Sequence, residues 1–138
     1  MRIKYIYLLL ISNALIILDQ YTKHMVSVHI PKYYSIKVID HFFNLTHIRN
    51  AGVAFGMFAG HSSEYKTLFF IVVSSVAIIA VLSFFRNTPD DRKIALFGLI
   101  LIFSGAVGNM IDSILYGEVV DFLDFFYKDH HWQSFNVA

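Results

Sequence analysis

A chain of 138 residues with 57% hydrophobic and only 15% charged residues is too apolar for an ordinary soluble domain. Its net charge of +1 comes with no basic block that would neutralise a run of phosphates, so nucleic acid is excluded as a partner. The absence of cysteine excludes disulfides, thiolate metal ligands and a cysteine nucleophile.

The length suits one membrane-embedded domain, read here as residues 1–138. A spanning helix needs about 20 mostly apolar residues. The first such run covers about residues 5–21, with Tyr5 and Tyr21 suited to the interface. Met1-Arg2-Ile3-Lys4 ahead of it has the pattern of a secretory leader, but the run ends in Asp19-Gln20-Tyr21-Thr22-Lys23 and not in a small-residue cleavage site, so it is read as a span. Asp19 and Lys23 stand at i, i+4, where an ion pair anchors a helix. Residues 24–66 differ in kind. Pro31, several charges and imperfect alternation from Ser35 to Ile48 predict a small extramembrane β-sheet between spans 1 and 2. Arg49 and Asn50 suit a lipid headgroup or a peptide backbone, or else cap the apolar element that begins at Ala51. That element, Ala51 to Ala59, is too short to span, and reads as interfacial or re-entrant.

The second span, residues 67–85, carries no charge at all. The short loop after it holds Arg86, Arg92 and Lys93, and the positive-inside rule places this loop and Arg2/Lys4 in the cytoplasm, leaving the sheet-like segment outside. The third span, residues 94–115, brings Gly105, Gly108, Asn109 and Asp112 onto one face. That face is either a packing seam with a polar clasp or the wall of a water-filled cavity. Asp121, framed by Val119, Val120 and Phe122 near a membrane surface, is a candidate acid or base with a raised pKa. Asp124 and Asp129 read as solvated loop residues. His130 and His131 lack a third ligand at metal spacing, so neither metal nor cofactor is expected.

Asp19-Gln-Tyr-Thr-Lys23, His47-Ile-Arg-Asn-Ala-Gly-Val-Ala-Phe55, Gly105-Ala-Val-Gly-Asn-Met-Ile-Asp112, Val119-Val-Asp-Phe122 and Phe135-Asn-Val-Ala138 occur in one order along a matching hydropathy profile. Together they resemble the lipoprotein signal peptidases, or signal peptidase II, over nearly the whole chain. The resemblance implies an aspartic intramembrane peptidase of the bacterial inner membrane that removes signal peptides from diacylglyceryl-modified prolipoproteins, cutting before the lipidated cysteine. The implied fold is a mainly α, polytopic helical bundle with three spans present and a fourth expected after them. It also implies a catalytic pair of aspartates, the first at Asp121 and the second at position 139, one beyond Ala138. Residues 1–138 alone are therefore expected to be C-terminally incomplete and inactive. Asn109, Asp112, Asn136, Asn50, Arg49, Asp19 and Lys23 become supporting or substrate-binding residues. Ser113 departs from the family, which usually has Arg there, and one ion pair or substrate contact is in doubt. The implied partners are prolipoproteins and membrane lipids, the implied state is a monomer, and the site belongs near the outer face.

Two adjacent carboxylates share one proton, so one serves as general base toward water and the other as general acid toward the leaving amine. Two rivals remain at this point. One is a serine/lysine membrane peptidase using Lys23 with Ser12 or Ser104. The other is a transporter or channel subunit whose polar third span lines a pathway.

Overall fold

The computed structural model describes residues 3–50 and 63–138. The expected element at Ala51 to Ala59 lies outside the described residues. In chain order the elements are α1 (Ile3–His29), β1 (Ser35–Ile39), β2 (Phe43–Asn50), α2 (Ser63–Asn87), α3 (Lys93–Tyr116), β3 (Val119–Tyr127) and β4 (His130–His131). All three helices are long and apolar enough to cross a membrane. Most of their large apolar side chains, Leu10, Ile17, Val76 and Ile94 among them, are exposed, as lipid-facing residues must be.

Helix α1 runs well past the expected end at residue 21. The expected end was set by the charges of Asp19 and Lys23, but both are buried inside the bundle, and the helix continues to a turn before Pro31. Helix α3 packs against both α1 and α2. Within its buried line, Gly108 lies against Asp19 of α1 and Asp112 pairs with Lys23 of α1, so the polar stripe read from the sequence is an interhelical seam. Far from the sheet, the Lys4 ammonium donates to the carbonyls of Phe85 (3.3 Å), Arg86 (3.2 Å) and Thr88 (2.7 Å), and it pairs with Asp90 at 3.2 Å. It thereby caps the C-terminus of α2 with positive charge. Gly117, at φ 69°, turns the chain out of α3 in the left-handed conformation that glycine adopts freely.

The expected sheet between spans 1 and 2 is present as β1 and β2, and the structure extends it. It is antiparallel with order β1-β2-β3-β4, and only β1 and β2 come from between spans 1 and 2. Strand β3, which comes after span 3, pairs with β2 along its length. The run Val119 to Tyr127 is strand-like in its Val and Phe content, with Asp121 and Asp124 interrupting the apolar pattern. Between Leu45↔Leu123 and Ile48↔Asp121 the register shifts by one residue, a bulge at Thr46–His47. Val26 and Ile30 at the end of α1 pack against Val120 and Phe122, with Leu45 and Leu123 around them, which seats the sheet on the helix ends.

The two glycines of α3 predict opposite tolerance. A Cβ at Gly108 would lie 2.5 Å from Asp19 Oδ2, whereas one at Gly98 meets nothing within 4 Å. Gly108→Ala is expected to lower the melting temperature in detergent clearly, and Gly98→Ala to leave it level or raise it, since Ala is favoured over Gly in a helix by about 1 kcal/mol. Equal melting temperatures for the two variants would remove the seam from the account.

Candidate active site

Asp121 sits on β3 opposite Ile48, and only 6% of it is exposed. Two side-chain amides hold its carboxylate from opposite directions: Asn50 Nδ2 donates to Oδ2 at 3.1 Å, and Asn136 Nδ2 donates to Oδ1 at 2.9 Å. Burial pushes the carboxyl up from 3.8 to about 6, against the lowering effects of the Asn50 bond, the Lys23 charge and the Asn136 bond, with Asp112 adding to the rise. The folded chain therefore binds this proton more tightly than the unfolded one. Asp121's contribution to stability falls as pH rises from 3.8 through about 6. A group poised near 6 is suited to give and take protons close to neutral pH.

Beneath Asp121 lies a charged cluster. The Lys23 ammonium spends its three protons on Asp19 Oδ2 (2.7 Å), Asp112 Oδ2 (2.8 Å) and Asn109 Oδ1 (3.1 Å). Asp112 Oδ2 also accepts the Val120 amide at 3.2 Å, fixing the residue next to Asp121. Asn109 Oδ1 accepts Asn136 Nδ2 at 3.1 Å, so one amide group joins the cluster to Asp121. Gln20 Nε2 donates to Asp112 Oδ1 at 3.0 Å, with the Gly108 carbonyl and Asp19 Oδ2 each at 3.2 Å.

Asp121, Asp112, Asn109, Asn136, Asn50, Asp19 and Lys23 thus converge. Arg49 points elsewhere: its Nε donates to His47 Nε2 at 3.1 Å, and its guanidinium lies 5.4 Å from the Tyr116 ring centre. Asp124 is a correction, since it is buried and not a solvated loop residue. It accepts Asn44 Nδ2 at 3.1 Å and is paired with His131 at 2.9 Å. The strand pairing between β2 and β3 supplies this shielding. Ser113 is buried and donates to the Asn109 carbonyl at 2.9 Å, a bond within its own helix. Gln20 escaped the sequence reading because a neutral amide in a span carries little of the cost that marks a charge, although it stands beside Asp19 in the quoted motif. Ser12 and Ser104 donate to the carbonyls of Leu8 and Ile100 on their own helices. Among the described residues no group of three or more His, Cys, Asp or Glu is placed to hold a metal.

The family described as signal peptidase (SPase) II matches residues 11–138. The chain belongs to that family. The lipoprotein signal peptidase of Desulforapulum autotrophicum is 50% identical over 131 residues, covering 95% of this chain and 81% of the relative. That of Geobacter sulfurreducens is 47% identical over 132 residues, covering 93% and 81%. A solved structure described as "Bacterial membrane enzyme structure by the in meso method at 1.9 A resolution" superposes with TM-score 0.80 at 35% identity, over 95% of this chain and 81% of that one. Membership of this family makes the protein a membrane protease, and three spans make it multi-pass.

Proposed function

We propose that the protein is an aspartic endopeptidase that removes the signal peptide from diacylglyceryl-modified prolipoproteins, cutting before the lipidated cysteine, with Asp121 as one of its two catalytic carboxylates. The observation that carries this reading is Asp121 itself: buried, gripped by Asn50 and Asn136, raised to about 6, and standing at the sheet end of the spans. Membership of the signal peptidase II family supports the substrate.

The second carboxylate belongs at position 139. Asn136 supports that placement, because the side chain that donates to Asp121 also accepts the Ala138 amide at 2.9 Å. The Ala138 backbone lies so close to α3 that a Cβ at Gly105 would stand 2.8 Å from its carbonyl carbon. Down the line between α1 and α3 lie a cavity of about 300 Å³ beside Leu15 and Leu101 and one of about 510 Å³ beside Tyr7 and Phe97. A fourth span would fill both. Within residues 1–138 the other acids are poorer partners. Asp112 is committed to Lys23, Gln20 and the Val120 amide, and Asp124, three residues from Asp121 on the same strand, points to the opposite sheet face.

In this reading the paired carboxylates share one proton and hold a water between them. The ionised member takes a proton from that water as its oxygen attacks the scissile carbonyl. The protonated member stabilises the oxyanion and then protonates the leaving amine, with no covalent intermediate. The serine/lysine route has little support, because the Lys23 ammonium is committed to two carboxylates and both serines bond back to their own helices. The pathway of a transporter has little support either, since the polar face of α3 is filled by that ion cluster.

The enzyme works as a monomer among membrane lipids of the bacterial inner membrane, N-terminus in the cytoplasm and Asp121 near the outer face, as the basic loop between α2 and α3 suggests.

The natural full-length chain is expected to cleave a lipidated precursor in proteoliposomes, and Asp121→Asn to lower kcat at least about a hundredfold, the scale of a lost general acid or base. Retained turnover in Asp121→Asn, or its loss in Ser12→Ala, would refute the aspartic reading. For orientation, a cysteine at Ser35 is expected to react with an impermeant thiol reagent in intact spheroplasts and one at Thr88 only after lysis. The reverse pattern would invert the topology.

A further inference from the structure

Arg49 has a cation's chemistry and no anion to use it on. Among the described residues no carboxylate lies within ion-pair distance of its guanidinium, and residues 51–62, next in the chain, contain no Asp or Glu. Yet its position is closely controlled. Ile30 O can only accept, so His47 must carry its hydrogen on Nδ1, which donates at 2.6 Å. That leaves His47 Nε2 as an acceptor, and it takes the Arg49 Nε–H at 3.1 Å. The guanidinium is then laid over Tyr116, with one terminal nitrogen 3.4 Å from Ser27 Oγ.

This arrangement opens onto a cavity of about 110 Å³ lined by Gln20, Lys23, His24, Ser27, Arg49 and Tyr116, together with Asp112 and Val120. Asp112 brings negative charge there, but each of its oxygens is already bonded, to Gln20 or to Lys23 and the Val120 amide. Lys23 is held by two carboxylates. Arg49 is the cation left for a ligand. The cavity sits between the upper turns of α1 and the last turn of α3, the depth at which a spanning helix meets lipid headgroups. A planar guanidinium with hydroxyl and imidazole groups around it matches the oxygens of a phosphate.

We propose that this cavity binds a phosphate group, with Arg49 as its principal ligand and His47 as the residue that positions Arg49. The shared chemistry is a phosphate oxyanion, supplied by the headgroup of an anionic phospholipid or by free phosphate. The site lies on the far side of β2 from Asp121, since neighbouring strand residues point in opposite directions and Asn50 is the one turned to Asp121. The guanidinium and the Asp121 carboxylate thus lie on opposite sides of β2, although Lys23, Asp112 and Val120 both line this cavity and support Asp121.

The test uses the full natural chain in phosphatidylcholine nanodiscs doped with phosphatidylglycerol, and reads the lipid retained per protein by native mass spectrometry. Wild type is expected to retain phosphatidylglycerol at least about tenfold better than Arg49→Gln, the scale of one charge-assisted hydrogen bond. Lys32→Gln, which removes an exposed cation at the start of the sheet segment, is expected to retain it as wild type does. Two further variants guard against a folding defect. His47→Gln keeps an acceptor where Nε2 was and is expected to bind as wild type does, whereas His47→Asn keeps only the bond to Ile30 and is expected to fall toward Arg49→Gln. In a second arm, inorganic phosphate is titrated onto wild type and Arg49→Gln in undoped nanodiscs. Saturable binding lost in Arg49→Gln, without lipid retention, assigns the site to free phosphate. Equal retention by wild type and Arg49→Gln with no phosphate binding would overturn the proposal, and indistinguishable His47→Gln and His47→Asn would overturn the role given to His47.

Discussion

The Lys23 ammonium, shared between Asp19 and Asp112 inside a helical bundle, is the interaction on which the rest of the structure depends. Three charges buried between helices are tolerable only because every ammonium proton has an acceptor and each carboxylate shares the Lys23 charge. Removing Lys23 leaves both carboxylates buried without a counter-ion, a loss of about 3–5 kcal/mol for such pairs. The cluster fixes α1 against α3 at one height. It also fixes β3, because Asp112 reaches beyond its own helix to the Val120 amide.

From that point the fold hands position on to chemistry. Val120 is anchored from below, and Asp121 is the next residue. The bulge at Thr46–His47 sets the register in which Ile48 faces Asp121 and Asn50 reaches its carboxylate. Asn136 returns from the C-terminal segment to link Asn109 of the cluster to Asp121. The result is a carboxylate that water-excluding neighbours push up and amide donors hold in place. The glycines of α3 belong to the same design, since Gly108 leaves room for Asp19 and Gly105 for the backbone of Ala138.

Much of this was legible in the residues. Spacing put Gly105, Gly108, Asn109 and Asp112 on one helix face, and the i, i+4 placement of Asp19 and Lys23 announced their pair. What spacing along one helix does not carry is a partner on another. That Lys23 also serves Asp112 depends on how α1 and α3 cross. The strand β3 went unread because its apolar residues are interrupted by Asp121 and Asp124, which look solvated until β2 is laid beside them. That helix α1 runs on past Asp19 and Lys23 is hidden for the same reason: each looks like a membrane border when taken alone. Gln20 and His47 give no such signal, and their roles emerge only from the acceptors and donors they meet.

The central claim is that burial raises the Asp121 carboxyl and that the charges of the ion cluster adjust it, Lys23 lowering it and Asp112 raising it. Its most direct test is a carbon-13 NMR titration of the Asp121 carboxyl in detergent, in wild type, Lys23→Met and Asp112→Asn. The account predicts a wild-type midpoint near 6. It predicts a higher midpoint without the Lys23 charge, which favours the ionised form, and a lower one without the Asp112 charge, which opposes it. A midpoint near 3.8 in wild type, or one that neither substitution moves, would contradict it.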